Sequence, residues 1–539
     1  MSAQEIERKF TIAELKRYNS ELSKQVNTLI MRNKSLEKHQ DCIVERRVNV
    51  EIKKVQRSYE KQLSTQEKDY QKQLKEKDKE IEKLKIELAN ANSKLNNDST
   101  NSGIPTSKTP LNKKKLIPNT REKTDKSKGG QLNHKKHKLE AFKEEEATEI
   151  VEVEMTSCPK CGSENVKETT KSVNKCETDF IVQTIRRLYK YKEYECGECG
   201  CRFHANIPSN LKEENQYGNT VQSLAVCLTN EIYTPFNKTV KLVKGITNGE
   251  INLSEGYVTK LQKRASSRLD SFFAETKKHI MNSSVYGWDE GVIAVNTKQA
   301  ILRTYCTDNV VLLFASDSKN KDSIDEDEIL KNTPSTTLVM HDHVLTNYND
   351  DYCFENVECL IHLIRRLRKM KENTKHEYLE ELIHLLSEAN KDRNQEIKNG
   401  KERFSDEYIK ELHKKYREKI EEGSKINKGS SMIDNPFKDE ESNLLKDLIK
   451  YEDNYLKWAD NFIAPSTNNN SERSLRPAKS KQKISGQFQS LEYASYYARI
   501  RSYIETCKRN GINIIEACVR LMEGNPYTLE EILAQKKDS

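Results

Sequence analysis

Residues 1–102 contain neither glycine nor proline. A hundred residues without either breaker read as long helix. Leu15, Leu22, Leu29 and Leu36 recur every seven residues. With these at heptad position d, position a holds Ile12, Asn19, Val26 and Asn33. A buried Asn at a selects a paired, in-register dimer. The pattern blurs across residues 40–58. It resumes with Leu74, Ile81, Leu88 and Leu95 at one position, and Leu63, Tyr70 and Leu84 at the other. Residues 1–96 are therefore expected to form a coiled coil that makes a homodimer. The plainer alternative is a charged helix packed on its own chain, which leaves the leucine spacing unexplained.

The remainder is organised in segments. Of the 539 residues, 35% are hydrophobic and 33% charged, too polar a balance for one compact globule. The net charge of +8 is modest, so affinity for nucleic acid has to come from local clusters. No stretch approaches ~18 consecutive apolar residues, and no membrane partner is expected. The first residues offer no apolar signal core. A cytosolic setting is expected, where the 13 cysteines read as metal ligands or buried thiols. Residues 97–150 form a polar linker that becomes basic over Lys113–Lys138, a run suited either to neutralising phosphates or to simple solvation.

Cys158-Pro-Lys-Cys161 and Cys196-Gly-Glu-Cys199 are two CxxC knuckles, each followed by glycine. Four thiolates close a tetrahedral structural Zn2+ site with no open position for catalysis. A zinc ribbon is expected over 151–210, with alternating apolar and basic residues between the knuckles forming a strand pair. Cys176, Cys201 and His204 are spare candidates, plainer as ordinary core or surface residues. Arg186 and Arg187, with Lys190 and Lys192, give the ribbon a DNA-facing reading. Residues 211–275 read as helices. Ser254 is a good N-cap for a helix from Glu255 that carries Lys260, Lys263 and Arg264. Such a helix fits the recognition element of a helix-turn-helix, or equally a plain helical hairpin.

From residue 284 the period switches to two. SSVYGWDEGVIAV, QAILRTYC and NVVLLFAS read as three consecutive strands, followed by the short helical IDEDEILKN and the strand TTLVMHDH. Three antiparallel strands, a helix and a further strand give the order of a ribonuclease-H-like core. In that order Asp289 and Asp342 sit on neighbouring strands. Adjacent carboxylates without basic partners repel each other and attract hard divalent cations. A third acid, Glu472, lies in STNNNSERSLRP within or near the first turn of a helix, with Arg473 and Arg476 close enough to grip phosphate. The core is expected to span 276–372 and 456–539, interrupted by an all-helical insertion over 373–455. Of the two histidines flanking Asp342, His341 and His343, at most one faces the acids. Cys359 and His362 share a helix face, where core packing is the plainer reading and a metal the other.

These residues resemble the DDE transposases of the bacterial insertion sequence 66 family, in order through most of the chain. GGQLNHKKHKL (Gly129–Leu139) is similar to the family's Gly-Gly-Gln-Pro-Gly-His-Lys-Gly-His segment. CPKCG and CGECG match its knuckles, and WDEG (Trp288–Gly291) its Asp-Glu-Thr-Gly site. MHDHVLTNY and ECLIHLIRRLRK resemble its second-aspartate motif and the Cys-x-x-His-x-x-Arg helix after it. NNNSERSLRP matches Asn-Asn-x-x-Glu-Arg-x-Leu-Arg-Pro, the most specific of the set. The sequence departs from the family in lacking Thr after Glu290, in Thr467 where Asp is usual, and in Leu132-Asn133 for Pro-Gly. The resemblance implies catalytic Asp289, Asp342 and Glu472 holding Mg2+ or Mn2+. It implies cleavage at inverted-repeat ends, then strand transfer of a freed 3′-hydroxyl into target double-stranded DNA. Accessory element-encoded proteins and a nucleoid-associated bacterial location follow from the same resemblance. The expected fold is multidomain α+β. Rival expectations are a catalytically inactive or domesticated DNA-binding repressor, and a metal-dependent nuclease that only cuts.

Overall fold

The computed structural model describes residues 3–37, 42–97, 101, 141–169, 173–208, 211 and 213–535. The basic segment Lys113–Lys138 lies outside these. The chain divides into two units.

The first unit holds the amino-terminal helices together with residues 367–381 and 418–446. Helix α1 (Ala3–Glu37) and helix α2 (Cys42–Leu95) touch one another. The zipper positions Leu15, Leu22, Val26 and Leu29 are half-buried within the single chain, whereas Leu84, Leu88 and Leu95 are exposed. The rest of this unit is centred on Glu441, fully buried. Its carboxylate accepts from Tyr378 (2.8 Å), Asn435 (2.7 Å) and Asn427 (3.0 Å), and lies 2.7 Å from His376 Nδ1. Four polar partners offset the cost of burying a carboxylate.

The second unit holds the sheet. Strands β1 (Tyr194–Glu195) and β2 (Arg202–Phe203) pair antiparallel around the second knuckle. Of the strand pair expected between the knuckles only β1 lies there, and its partner β2 follows the second knuckle. Phe180, Ile181, Ile185 and Leu188 are exposed, and no sheet face covers them. Helices α3 (Asn219–Asn230), α4 (Phe236–Ile246) and α5 (Glu255–Ser267) form a three-helix cluster, followed by α6 (Asp270–Met281). The Ser254 hydroxyl accepts from the Tyr257 N–H at 3.1 Å and starts α5. Val258, Leu261 and Ala265 are buried, which leaves Lys260 and Lys263 on the outer face.

Strands β3 (Val285–Val295), β4 (Lys298–Cys306) and β5 (Val311–Ser316) run antiparallel. Asn296 and Thr297 both have positive φ, at +44° and +65°, as a two-residue hairpin turn of primed type requires. After α7 (Lys321–Asp325), strands β6 (Leu338–His341) and β7 (Glu355–Glu358) run parallel to β3, giving the order β5-β4-β3-β6-β7. Helices α8 (Leu360–Thr374), α9 (Glu377–Lys398), α10 (Asp406–Gly429), α11 (Lys438–Lys450) and α12 (Glu452–Asp460) follow. The chain closes on α13 (Asn469–Ser485), α14 (Leu491–Arg509), α15 (Ile514–Glu523) and α16 (Leu529–Ala534).

Both sheet faces are covered. Tyr286, Trp288, Tyr305 and Leu312 share one core with residues of α3, α5, α6, α14 and α15. Ile293, Leu302 and Leu313 share the other with Leu475 and Ala478 of α13 and Ala494 and Ala498 of α14. Edge strand β5 is closed by α14: the Leu313 and Val311 N–H groups donate to Ser502 Oγ (2.8 Å) and Thr506 Oγ1 (3.1 Å). Among the described residues no helix is long and apolar enough to cross a membrane.

Candidate active site

The strand register sets the site. Gly287 of β3 pairs with Met340 of the parallel β6. Two residues further along each strand stand Asp289 and Asp342, on the face that carries positions 287 and 340. Strand β6 ends at His341, so Asp342 leaves at the strand's carboxyl end.

Helix α13 crosses this face. A Cβ on Gly287 would lie 2.6 Å from Ser471 Oγ and 2.8 Å from Asn468 Oδ1, and one on Gly291 would lie 3.5 Å from Leu475. Positions 287, 289 and 291 share a strand face, and 468, 471, 472 and 475 share a helix face. Glu472 therefore falls beside Asp289. The helix start is pinned from three sides. Asn468 Nδ2 donates to the Trp288 carbonyl (2.8 Å), the Asn468 N–H donates to Cys359 Sγ (3.3 Å), and Ser471 Oγ meets Cys306 Sγ (3.3 Å). Asn468 is the N-cap by position, but its side chain makes no cap hydrogen bond: Nδ2 is turned to β3 and Oδ1 is buried without a partner.

Gly287 matters here for close approach, not for φ. We expect Gly287→Ala to push α13 off the sheet, costing about 1–3 kcal/mol from overpacking. Glu472 moves with the helix, so any activity resting on it should fall by more than the stability loss explains. Thermal unfolding beside an activity assay at a temperature where both proteins are folded checks this.

The electrostatics agree with the register. Burial pushes the Asp289 carboxyl up to about 7, and Asp342 and then Glu472 add to the rise. The Glu290 N–H, donating to Asp289 Oδ1 at 2.8 Å, opposes it. Among the described residues no Lys or Arg forms an ion pair with Asp289 or Asp342. Arg476 stands 3.8 Å from Glu472, with its side chain 66% exposed. Glu290 belongs to the opposite sheet face, where Lys319 pairs with it at 2.7 Å. Trp288 is a core residue of that same opposite face, stacked on Tyr305.

Neither histidine flanking Asp342 turns to the acids. His341 Nε2 meets Asn356 Oδ1 and His343 Nδ1 meets Glu358 Oε1, both at 2.7 Å and both on β7. The residue that reaches Asp342 is His362, one turn into α8, with Nδ1 2.8 Å from Asp342 Oδ1. Neither atom has a hydrogen-bond partner of acceptable alignment, so this is a close ionic contact and not an aligned hydrogen bond. Asp342, Cys359 and His362 are a group whose ligand atoms all lie within 4.8 Å of one another. The sequence signal for it is the Cys-x-x-His spacing at a helix start, for which packing is the plainer expectation.

The remaining candidates lie elsewhere. Arg473 is exposed on α13 beside Arg476. On α5, Lys260 and Lys263 are exposed, and Arg264 donates to Gln222 Oε1 at 2.9 Å. Arg187 is exposed, and Arg186 sits 3.5 Å from Glu250. The two knuckles have matching turns: Gly162 and Gly200, at φ +74° and +68°, donate to the Cys158 and Cys196 carbonyls at 2.8 and 2.9 Å. Amide groups of Lys160 and Cys161 lower the Cys158 thiol, and those of Cys199 and Glu198 lower Cys196. Among the described residues Cys158, Cys161, Cys196 and Cys199 do not converge as one group of ligand atoms.

Residues 214–496, just over half the chain, match the family model described as Transposase IS66 family. The match covers α3 to α13, the five-stranded sheet included, and the start of α14. No curated protein and no solved structure matches the chain.

Proposed function

This chain belongs to the IS66 family of transposases, and from that premise we propose that Asp289, Asp342 and Glu472 are its DDE-type catalytic acids. They nick the element ends and transfer the freed 3′-hydroxyl into target DNA. What supports the reading is that Asp289 on β3, Asp342 at the end of β6 and Glu472 in the first turn of α13 lie toward one sheet face, with Asp342 and Glu472 both raising the Asp289 carboxyl, although their oxygens do not form one group of ligand atoms. The strand order, three antiparallel and two parallel on β3, supports a ribonuclease-H-like core.

The donor set fits a hard divalent cation, Mg2+ or Mn2+. It is carboxylate oxygen, Asp342 and Glu472 both raise the Asp289 carboxyl, and among the described residues no Lys or Arg pairs with Asp289 or Asp342. When bound, such ions activate a nucleophile and stabilise the leaving oxygen of a phosphodiester. The chain's own contribution is positioning. Asn468 fixes α13 against β3, and Gly287 lets it come close. The exposed Arg473 and Arg476 lie on the helix that carries Glu472 and are free to take phosphate.

DNA ends are held by Lys260, Lys263 and Arg264 on α5, with Arg186 and Arg187 beside the knuckles. At the knuckles, N–H groups aimed at the first sulfur of each pair favour a metal-binding role, but the two pairs do not converge and no shared Zn2+ is assigned to them. Homodimerisation uses the later heptads of α2, where Leu84, Leu88 and Leu95 are exposed. Accessory proteins of the element complete the assembly.

The test is strand transfer. A labelled duplex carrying the element's own end is incubated with supercoiled target DNA and Mg2+. The reading expects labelled 3′ ends joined to the target. Nicking at the boundary with no joined product would favour a nuclease that only cuts. Binding with neither would favour a repressor.

A further inference from the structure

We propose that Asp342, Cys359 and His362 form a second cation site, which takes a borderline-soft divalent ion such as Zn2+ and competes for Asp342 with the harder ion of the acidic centre. The competition rests on the catalytic reading above, and the site itself does not.

The geometry carries the argument. One sulfur, one imidazole nitrogen and one carboxylate oxygen lie within 4.8 Å of one another. This is the donor set of zinc, with thiolate and imidazole that magnesium avoids. Cys359 is buried and its sulfur accepts the Asn468 N–H at 3.3 Å, an outer contact that fixes the side chain's orientation. Asp342 Oδ1 and His362 Nδ1 are buried atoms without an aligned hydrogen bond, although only 2.8 Å separates them. These two atoms, with the Cys359 sulfur, are close enough to share one ion in place of their ionic contact. The Asp342 and His362 side chains are 28% and 24% exposed, which leaves a path for the ion and a fourth position for water. Arg365 Nη1 lies 3.2 Å from His362 Nε2 and swings aside on binding, because Nε2 carries the hydrogen once Nδ1 is a ligand.

The three donors come from two places. Asp342 follows β6, and Cys359 and His362 span the join of β7 to α8. Parallel pairing of β6 with β7, His341 opposite Glu358, brings them together. Because Asp342 is common to both sites, an ion held by Cys359 and His362 withdraws one acid from the three. A transposase with this arrangement is silenced by zinc and released when zinc is scarce.

The experiment titrates the purified full-length protein with Co2+, following thiolate-to-cobalt absorption and counting bound metal after dialysis. Cys359→Ser and His362→Gln are each expected to hold one equivalent fewer than wild type. The knuckle cysteines are present in all three proteins and cancel in the comparison. Equal metal counts in all three would overturn the site. Since Cys359 is buried and its variant can misfold, His362→Gln decides alone if that happens. Excess Mg2+ is expected to move the wild-type cobalt midpoint to higher concentration, and a midpoint indifferent to Mg2+ would overturn the competition. Failure of the catalytic reading shows instead as absent nicking with Mg2+ alone, which leaves the cobalt count standing.

Discussion

Asp289→Asn is expected to abolish strand cleavage while making the metal-free protein more stable at neutral pH. A ligand that supplies about 4 kcal/mol to the transition state corresponds to about 10³ in rate, so a fall of at least that size is expected. The stability gain follows from the raised carboxyl. Its folded value, about 7, lies above the ordinary 3.8, so the folded protein holds the proton more tightly than the unfolded chain. That stabilising protonation is complete below about pH 4 and is lost as pH rises through about 7. Asparagine cannot ionise. Its advantage therefore grows from about pH 4 and levels off above about pH 7, at about 2–4 kcal/mol. Thermal melts of both proteins across that range, in chelator, check it. Equal melting temperatures at pH 8 would mean that Asp289 carries no electrostatic load.

Arg303→Met should destabilise the sheet unit by about 3–5 kcal/mol. Arg303 is 1% exposed inside β4. Its Nε donates to Asp327 Oδ2 at 2.6 Å and its Nη2 to the Ser323 carbonyl at 2.6 Å, while Tyr305 also donates to Asp327 at 2.9 Å. Removing the guanidinium strands a carboxylate that is 4% exposed. The cost comes from that unpaired charge, so the double variant Arg303→Met/Asp327→Leu should recover most of it. Urea unfolding followed by tryptophan fluorescence suits the measurement, since Trp288 and Trp458 are both buried in this unit. A double variant no better than the single one would place the cost in lost packing.

Much of the sheet is legible in the sequence, for identifiable reasons. Period-two alternation marks β3, β4 and β5. Ser254 announces α5 because capping is a local matter between a hydroxyl and an amide three residues on. Strand β7 has no such signal. Its four residues, Glu-Asn-Val-Glu, are too short and polar to show a period, and parallel pairing with β6 defines it. Parallel pairing is a long-range fact that no window of sequence contains.

The candidate site divides along the same line. Motif and element order single out Asp289, Asp342 and Glu472. Their partners escape both, because those depend on packing between elements. The Asn468 side chain reaches the Trp288 carbonyl on another element. Gly287 has no distinguishing context until α13 is laid against it. For His362 packing is the plainer expectation, since a helix face shared by Cys and His is usually core. The ion-like contact with Asp342 appears only when the strand end and the helix start are side by side.

The most direct test of the central claim is cleavage of a labelled duplex bearing the element's end in Mg2+ or Mn2+, with wild type run beside Asp289→Ala, Asp342→Ala and Glu472→Ala. The account predicts metal-dependent nicking at the element boundary that disappears in all three variants. Nicking that survives in any one of them, or binding without cleavage that is the same in all four proteins, would contradict it.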